Sequence, residues 1–480
     1  MSFFKRSTAP LAISFFGSLI LSIVALYFNP VLARDSIFYL DISSRLVDEG
    51  FSNAVQHYGW PWMSVIVAAI HSMTGLSIIY TGLIITALLM ATTCAALTRA
   101  SQLLNPASAW WACLISLSIP AFNSYRDSVL REPGLWLSAA LVMLSLALWH
   151  QKKQYRHLIL GLIYIFIGSL FRLEAVFLLI PLATAVFWQL RSSLWEKRNS
   201  VIIILFVSIA SFAALALAMT EFDNSRVQYY AELLNPEKIT EQLSHNASVL
   251  SSTVLEKYSR KDAGAILIYG FSGLIITKFL FLSGPFLLVI MLVPSSFLKK
   301  AKHPLFAFVV TAFACYFIVL LVFSMQHSFI INRYIALLHV LITPLLASGA
   351  LCLNRRYENL AALVVVASML TGLSNVVSFS DKRTHYFSAG DWIKNNIPED
   401  VHTYYSDGRV SFYANRRYLP PPYDGNTVMQ QHFSSYDFFV IDNLIENTAA
   451  QQLIEEGKLE QMVKFDNGKR RHLFILRRIQ

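Results

Sequence analysis

The sequence predicts a polytopic α-helical membrane protein that ends in a small α/β domain outside the membrane. Three observations predict it. The chain of 480 residues is 55% hydrophobic and only 14% charged, with a mean hydropathy of +0.50, whereas soluble domains carry roughly 25% charged residues. Apolar runs of span length recur along most of the chain, separated by short basic clusters. After Val377 the composition turns abruptly polar. The net charge of +10 is spread over clusters between apolar runs, so it reports topology and not a nucleic-acid surface, which would gather it in one basic patch. Cys94, Cys113, Cys315 and Cys352 each sit inside an apolar run, which predicts neither a disulfide nor a zinc site.

The candidate spans are 11–28, 77–97, 107–120, 133–150, 158–170, 175–190, 201–219, 279–294, 305–325, 334–353 and 360–377. They number about eleven, several short of the ~20 residues of a straight span. Residues 1–33 have the outline of a signal peptide, with Lys5-Arg6 ahead of the apolar run. The run is long enough to span, and a retained helix is the reading taken. Residues 60–74 are apolar but short, flanked by Trp60, Pro61 and Trp62. They read as a half-helix in the interface, where an indole places its polar edge. Omitting that segment puts Lys5-Arg6, Arg99, Lys152-Lys153-Arg156, Arg191 with Lys197-Arg198, Lys299-Lys300-Lys302 and Arg355-Arg356 on one side. By the positive-inside rule that side is the cytoplasm.

The outer segments are then 29–60, 121–132, 171–174, 220–264, 326–333 and 378–480. Residues 220–264 read as a polar loop with short helices, and 265–277 as a further interfacial helix before Lys278. The domains divide as 1–380 in the membrane and 381–480 outside it. Within the second, 389–396 and 443–456 read as helices, and 401–405, 410–413, 438–442, 461–465 and 472–476 as strands. Asp466-Asn467-Gly468 is a hairpin turn between the last two.

Residues 34–50 follow the first apolar run. Asp35, Tyr39, Ile42 and Leu46 recur at helical spacing and share one face. Asp41, Ser44, Arg45 and Asp48 fall on the other, and Gly50 ends the helix. Asp35 at the start of such a helix suits an N-cap, a functional acid or both at once. The order Asp35, Tyr39, Leu46, Gly50 resembles the first outer loop of GT-C glycosyltransferases. The likeness is to the glycosyltransferase family 39 group, which includes protein O-mannosyltransferases and the lipid A aminoarabinose transferase. The resemblance implies a GT-C-like fold and a sugar donor on a polyprenyl phosphate. It also implies a catalytic base at Asp35. The family often has Asp-Glu here, where this chain has Asp35-Ser36.

Three further outer-face sites extend the resemblance. Arg126 and Arg131 follow the third apolar run, Arg172-Leu173-Glu174 resembles the family's Arg-x-Glu, and Arg333-Tyr334 resembles an Arg-Tyr that opens a late span. With Tyr39 and Tyr334 these are the candidates for sugar and phosphate contacts, and Asp127 or Glu132 is a candidate second acid. The chemistry explains the set. An acceptor hydroxyl or amine attacking an anomeric carbon must lose a proton to a carboxylate. The departing phosphate needs guanidinium groups. Arg131-Glu132 and Arg172-Glu174 equally suit ion pairs that lock spans together. No cluster has metal-ligand spacing, so no metal or cofactor is predicted, although Asp35 meeting Asp127 or Glu132 would suit Mg²⁺. The sequence therefore predicts an inverting glycosyltransferase in a bacterial inner membrane. Its partners are a lipid-linked sugar donor, membrane lipids and a glycan, lipid or protein acceptor. A transporter or flippase of a lipid-linked substrate is the alternative of another class, and a surface-polysaccharide ligase or polymerase a third.

Overall fold

The computed structural model describes residues 8–190, 228–229, 232–233, 235–293, 303–378, 382–444, 447–468 and 471–479. Among these, eight helices are long and apolar enough to cross a membrane: Ala9–Phe28, Ile78–Leu104, Glu132–Lys152, Leu173–Leu190, Arg260–Leu282, Pro304–His327, Asn332–Arg356 and Glu358–Val376. The protein is an integral membrane protein. Helix Ala9–Phe28 turns Ser14, Ser18, Ser22 and Ala25 inward, a small-residue stripe that lets backbones approach closely. Helices Glu132–Lys152 and Arg156–Phe171 pack the same way: a Cβ on Gly134 would overlap the Phe171 ring, and one on Gly168 would overlap Ser138. Helix Asn332–Arg356 is the most buried of the long helices. Its Ile335, Leu338 and Leu341 join Phe122, Trp136, Phe286 and Phe308 in one continuous core.

Several boundaries differ from the sequence expectation. Residues 107–120 form only a ten-residue helix, Ala109–Ser118, about 15 Å long. Pro106 and Pro120 bracket it and stop it growing at either end. Residues 158–170 lie in the 16-residue helix Arg156–Phe171. The break expected near Lys278 is absent. Helix Ala263–Leu282 runs through it and stops before Gly284, whose φ of 55° ends the helix. The expected span 201–219 and the basic clusters at 191–198 and 299–302 lie outside the described residues. Helix Trp62–Thr74 has 13 residues. It starts beside the buried Trp60, whose Nε1 donates to Ser169 O.

The C-terminal unit is a four-stranded sheet in the order β1-β2-β4-β3, with β1 Thr403–Tyr405, β2 Phe438–Asp442, β3 Leu459–Asn467 and β4 Arg471–Arg478. β1 and β2 are parallel and the other pairs antiparallel. Strand alternation sorts the two faces. Val440 and Ile475 pack on helix His385–Asn396 through Tyr386, Ala389 and Ile393. Phe439, Ile441 and Leu476 pack on helix Thr448–Glu455. The expected strand at 410–413 is instead a short helix, Arg409–Tyr413. Its alternation suits a strand, but the Asp407 carboxylate accepts from Arg409 N, and Ser411 Oγ donates to Gly408 O. These local bonds set the turn.

Candidate active site

Helix Arg34–Asp48 carries the site. Ile37 and Leu40 pack against Met63, Val67, Val129 and Phe171, while Tyr39 and Ile42 pack against Tyr58, Trp60 and Leu130. Two hydrogen bonds fix its depth: Ser36 Oγ accepts from Val129 N at 2.9 Å, and Tyr39 O accepts from Ser64 Oγ at 2.7 Å. The N-cap is Ala33, with no side-chain cap, so Asp35 does not cap the helix. It sits in the first turn, where the helix dipole favours a carboxylate. Its side chain is 46% exposed and forms an ion pair with Arg333.

Charged groups from three distant segments gather around Asp35. Arg333, at the start of helix Asn332–Arg356, lies with its Nε 3.3 Å from Glu132 Oε1. Glu132 is almost wholly buried, and its Oε1 also accepts from Arg172 Nη1 at 2.6 Å. The other edge of Arg172 donates to Glu174, Nη2 to Oε1 at 2.5 Å. Arg131 donates from Nε to Tyr39 Oη at 2.8 Å and lies over the rings of Tyr39 and Tyr58, 5.4 and 5.3 Å from their centroids. The ring of Tyr334 lies under Arg172 and Arg333 at 4.9 and 5.4 Å, within cation–π range. Three guanidiniums are thus matched by three carboxylates. Burial pushes the Tyr39 phenol up, against the pull of Arg131, so it stays a neutral hydroxyl.

These groups surround a cavity of about 260 Å³ lined by Asp35, Tyr39, Arg131, Arg172, Glu174, Arg333 and Tyr334. Glu132 lies behind Arg172 and Arg333 as their shared anchor. Arg126 does not join them. It is buried, with Nη1 donating to Ser18 O and Oγ and to Ser22 Oγ, and Nε and Nη2 donating to Asn123 Oδ1. The expectation of a substrate contact at Arg126 is corrected to one of helix packing. Asp127 is likewise not in the cavity lining. It accepts from Ser128 Oγ, and burial pushes its carboxyl up, partly offset by that hydroxyl. Asp127 is thus no second acid beside Asp35.

Sequence reasoning missed the aromatic wall. Phe38, Tyr58, Tyr229, Tyr316 and Phe323 also line the cavity. Tyr58 shares no motif with Arg131, but its place two residues before the expected interfacial helix was a usable signal. Tyr316 and Phe323 lie within an apolar span, where one aromatic looks like another. Tyr229 forms a hydrogen bond with His327 Nε2 at 2.7 Å. Among the described residues, no group of three or more His, Cys, Asp or Glu side chains is placed to hold a metal.

No protein-family model matches the sequence, and a search of curated proteins returns no match. Solved structures do match. ArnT from Cupriavidus metallidurans bound to undecaprenyl phosphate is 12% identical, with a TM-score of 0.58 over 98% of both chains. The Archaeoglobus fulgidus oligosaccharyltransferase tethered with an acceptor peptide is 10% identical, with a TM-score of 0.55 over 93% of this chain and 70% of that one. The arabinofuranosyltransferase AftD from Mycobacteria is 14% identical, with a TM-score of 0.50 over 99% of this chain and 40% of that one. At these identities the likeness is one of fold, and the chain has the fold of the GT-C superfamily.

Proposed function

We propose that the protein is an inverting glycosyltransferase. It moves a sugar from a polyprenyl-phosphate carrier to a lipid, glycan or protein acceptor on the extracytoplasmic face of a bacterial inner membrane. The observation that carries this reading is the pairing of Asp35 with Arg333 at the edge of a cavity that also holds Arg131 and Arg172. The undecaprenyl phosphate of the similar ArnT structure supports a carrier of that class. Residues 1–380 would bind the donor, and 381–480 would brace the catalytic helix.

The cavity is electrically balanced when empty, so an arriving phosphate competes with the resident carboxylates for guanidiniums. The most exposed carboxylate is Asp35, and the anion therefore draws Arg333 away from it first. Charge-assisted bonds from Arg333 and Arg131 hold the phosphate, while Glu132 and Glu174 keep Arg172 in place. The released Asp35 carboxylate accepts the proton of the acceptor hydroxyl or amine as that atom attacks the anomeric carbon. The bond to the phosphate oxygen breaks, and the guanidiniums stabilise the charge that develops there. Arg333 and Arg131 supply the positive charge that the departing phosphate needs, so the mechanism is proposed to be metal-independent.

The test is Asp35→Asn in membranes supplied with radiolabelled lipid-linked sugar. Transfer of label to acceptor should fall about a hundredfold or more, with the protein still monodisperse in detergent. A variant that transfers at the native rate removes Asp35 as the base. Label that changes leaflet without reaching an acceptor would instead favour a flippase.

A further inference from the structure

Asp407 lies in the C-terminal unit, 373 residues from Arg34, yet the two side chains meet. Arg34 donates to Asp407 Oδ2 from Nε at 3.2 Å and from Nη2 at 2.9 Å. The Asp407 side chain is 2% exposed, whereas that of Arg34 is 61% exposed. Asp407 does not need Arg34 to be satisfied. Within its own unit it accepts from Arg409 Nε at 3.0 Å, Nη2 at 2.7 Å and backbone N at 3.0 Å. Arg409 is in turn held over the Tyr386 ring at 4.8 Å. Burial opposes ionisation of Asp407, but the bonds from Arg409 outweigh it and hold the carboxyl below its usual range. The site is thus a preformed anion that captures one additional guanidinium, the one next to Asp35.

The same segment grips the rest of the helix. Tyr413 Oη accepts from Leu32 N at 2.9 Å, just ahead of the helix. Tyr418 N donates to Asp41 Oδ1 at 2.9 Å, and Arg417 donates to Ser44 Oγ at 2.9 Å and Asp48 Oδ2 at 3.1 Å. Residues 407–418 therefore run along helix Arg34–Asp48 on the side away from the donor cavity. The charged and titratable groups facing Arg34 and Asp35 are Asp407, Arg409 and Tyr418 from the C-terminal unit, Arg333 from helix Asn332–Arg356, and Tyr39 from their own helix.

We propose that Asp407 is a positioning residue for the transfer reaction, holding the Arg34 guanidinium away from its neighbour Asp35 so that Arg333 is the cation this carboxylate meets at the cavity. The proposal rests on the reading of Asp35 as the base. Without the tether, a flexible guanidinium one residue from the base is free to pair with it. The base would then be weaker and its orientation less defined.

The test uses full-length protein in nanodiscs, with the variants Asp407→Asn, Arg34→Gln, their double and Asp35→Asn. Asp407→Asn should lower kcat about tenfold, with KM for the donor changed less than about twofold. The acid limb of its pH profile should move to lower pH, because a second guanidinium favours the ionised carboxylate. Removing the stray guanidinium in the double variant should return the acid limb to its native place and recover most of the rate. A role in folding alone would move neither limb nor be rescued. Should Asp407→Asn fail to fold, Arg34→Gln breaks the tether from the exposed side. Hydrogen exchange over residues 33–42 should then rise while that over β2 stays unchanged. A native rate and limb in Asp407→Asn, a double no better than it, or unchanged exchange in Arg34→Gln overturns the proposal. An active Asp35→Asn overturns the base assignment instead, so the two failures are distinguishable.

Discussion

Glu132 is the carboxylate on which the cavity's cations converge. Its side chain is 4% exposed and serves both Arg172 and Arg333 through one oxygen, and its Oε2 has no hydrogen-bond partner among the described residues. Removing one member of a buried ion pair leaves an uncompensated charge, which costs about 3 kcal/mol. Glu132→Gln should therefore lower the thermal midpoint in detergent, read as earlier labelling of the buried thiols Cys94 and Cys113. A midpoint equal to that of the native protein would show that Arg172 and Arg333 are held by Glu174 and Asp35 alone. The sequence made Glu132 a candidate acid without giving its role, because its two partners lie 40 and 201 positions away. The same blindness separates Arg126 from Arg131. Both stand in one outer loop, and nothing local distinguishes them. Arg126 turns inward because Ser18 and Ser22, more than a hundred residues earlier, present hydroxyls to it.

Helix Arg34–Asp48 was legible because its two faces differ in composition, and the structure gives each face a different neighbour. The face with Asp35 and Tyr39 borders the cavity, while Asp41, Ser44 and Asp48 meet the C-terminal unit. What the sequence hid was the partner segment. Val410–Tyr413 alternates like a strand, yet Asp407 bonds its backbone and folds it into a turn of helix. The seam between the two has a predictable acid response. The Asp407 carboxyl is depressed in the folded protein, despite burial, by Arg409 and then Arg34. A depressed carboxylate stabilises the fold above its unfolded value of about 3.9. That stabilisation is lost as pH falls through the lower folded value. Exchange protection over residues 31–42, corrected for the intrinsic rate, should hold from pH 7 to pH 5 and fall only below about pH 4. A fall already between pH 7 and pH 5 would place control of the seam with another group.

The chain as a whole separates charge by end. Helices Glu132–Lys152 and Asn332–Arg356 both begin at the cavity, with Glu132 and Arg333, and end in Lys152-Lys153 and Arg355-Arg356. Helix Arg156–Phe171 returns from a basic start to Arg172 at the cavity. Helix Ile78–Leu104 starts against the C-terminal unit, at Ser77 and Ile78, and carries Arg99 near its far end. The described basic clusters thus share one end, and the cavity and the sheet share the other. Helix Trp62–Thr74 leaves this pattern intact, because His71 near its end and Ser77 after it border the C-terminal unit too. The count of spans was less legible than the polarity, because short helices such as Ala109–Ser118 are completed by tertiary packing. By the positive-inside rule the basic end is expected in the cytoplasm. In a background with Cys94, Cys113, Cys315 and Cys352 replaced by alanine, Gln154→Cys should be labelled by an impermeant maleimide only after the membrane is opened. Glu455→Cys, on the exposed side of the C-terminal helix, should be labelled in intact spheroplasts. Labelling in the reverse order would place the cavity in the cytoplasm and require a donor presented from that side.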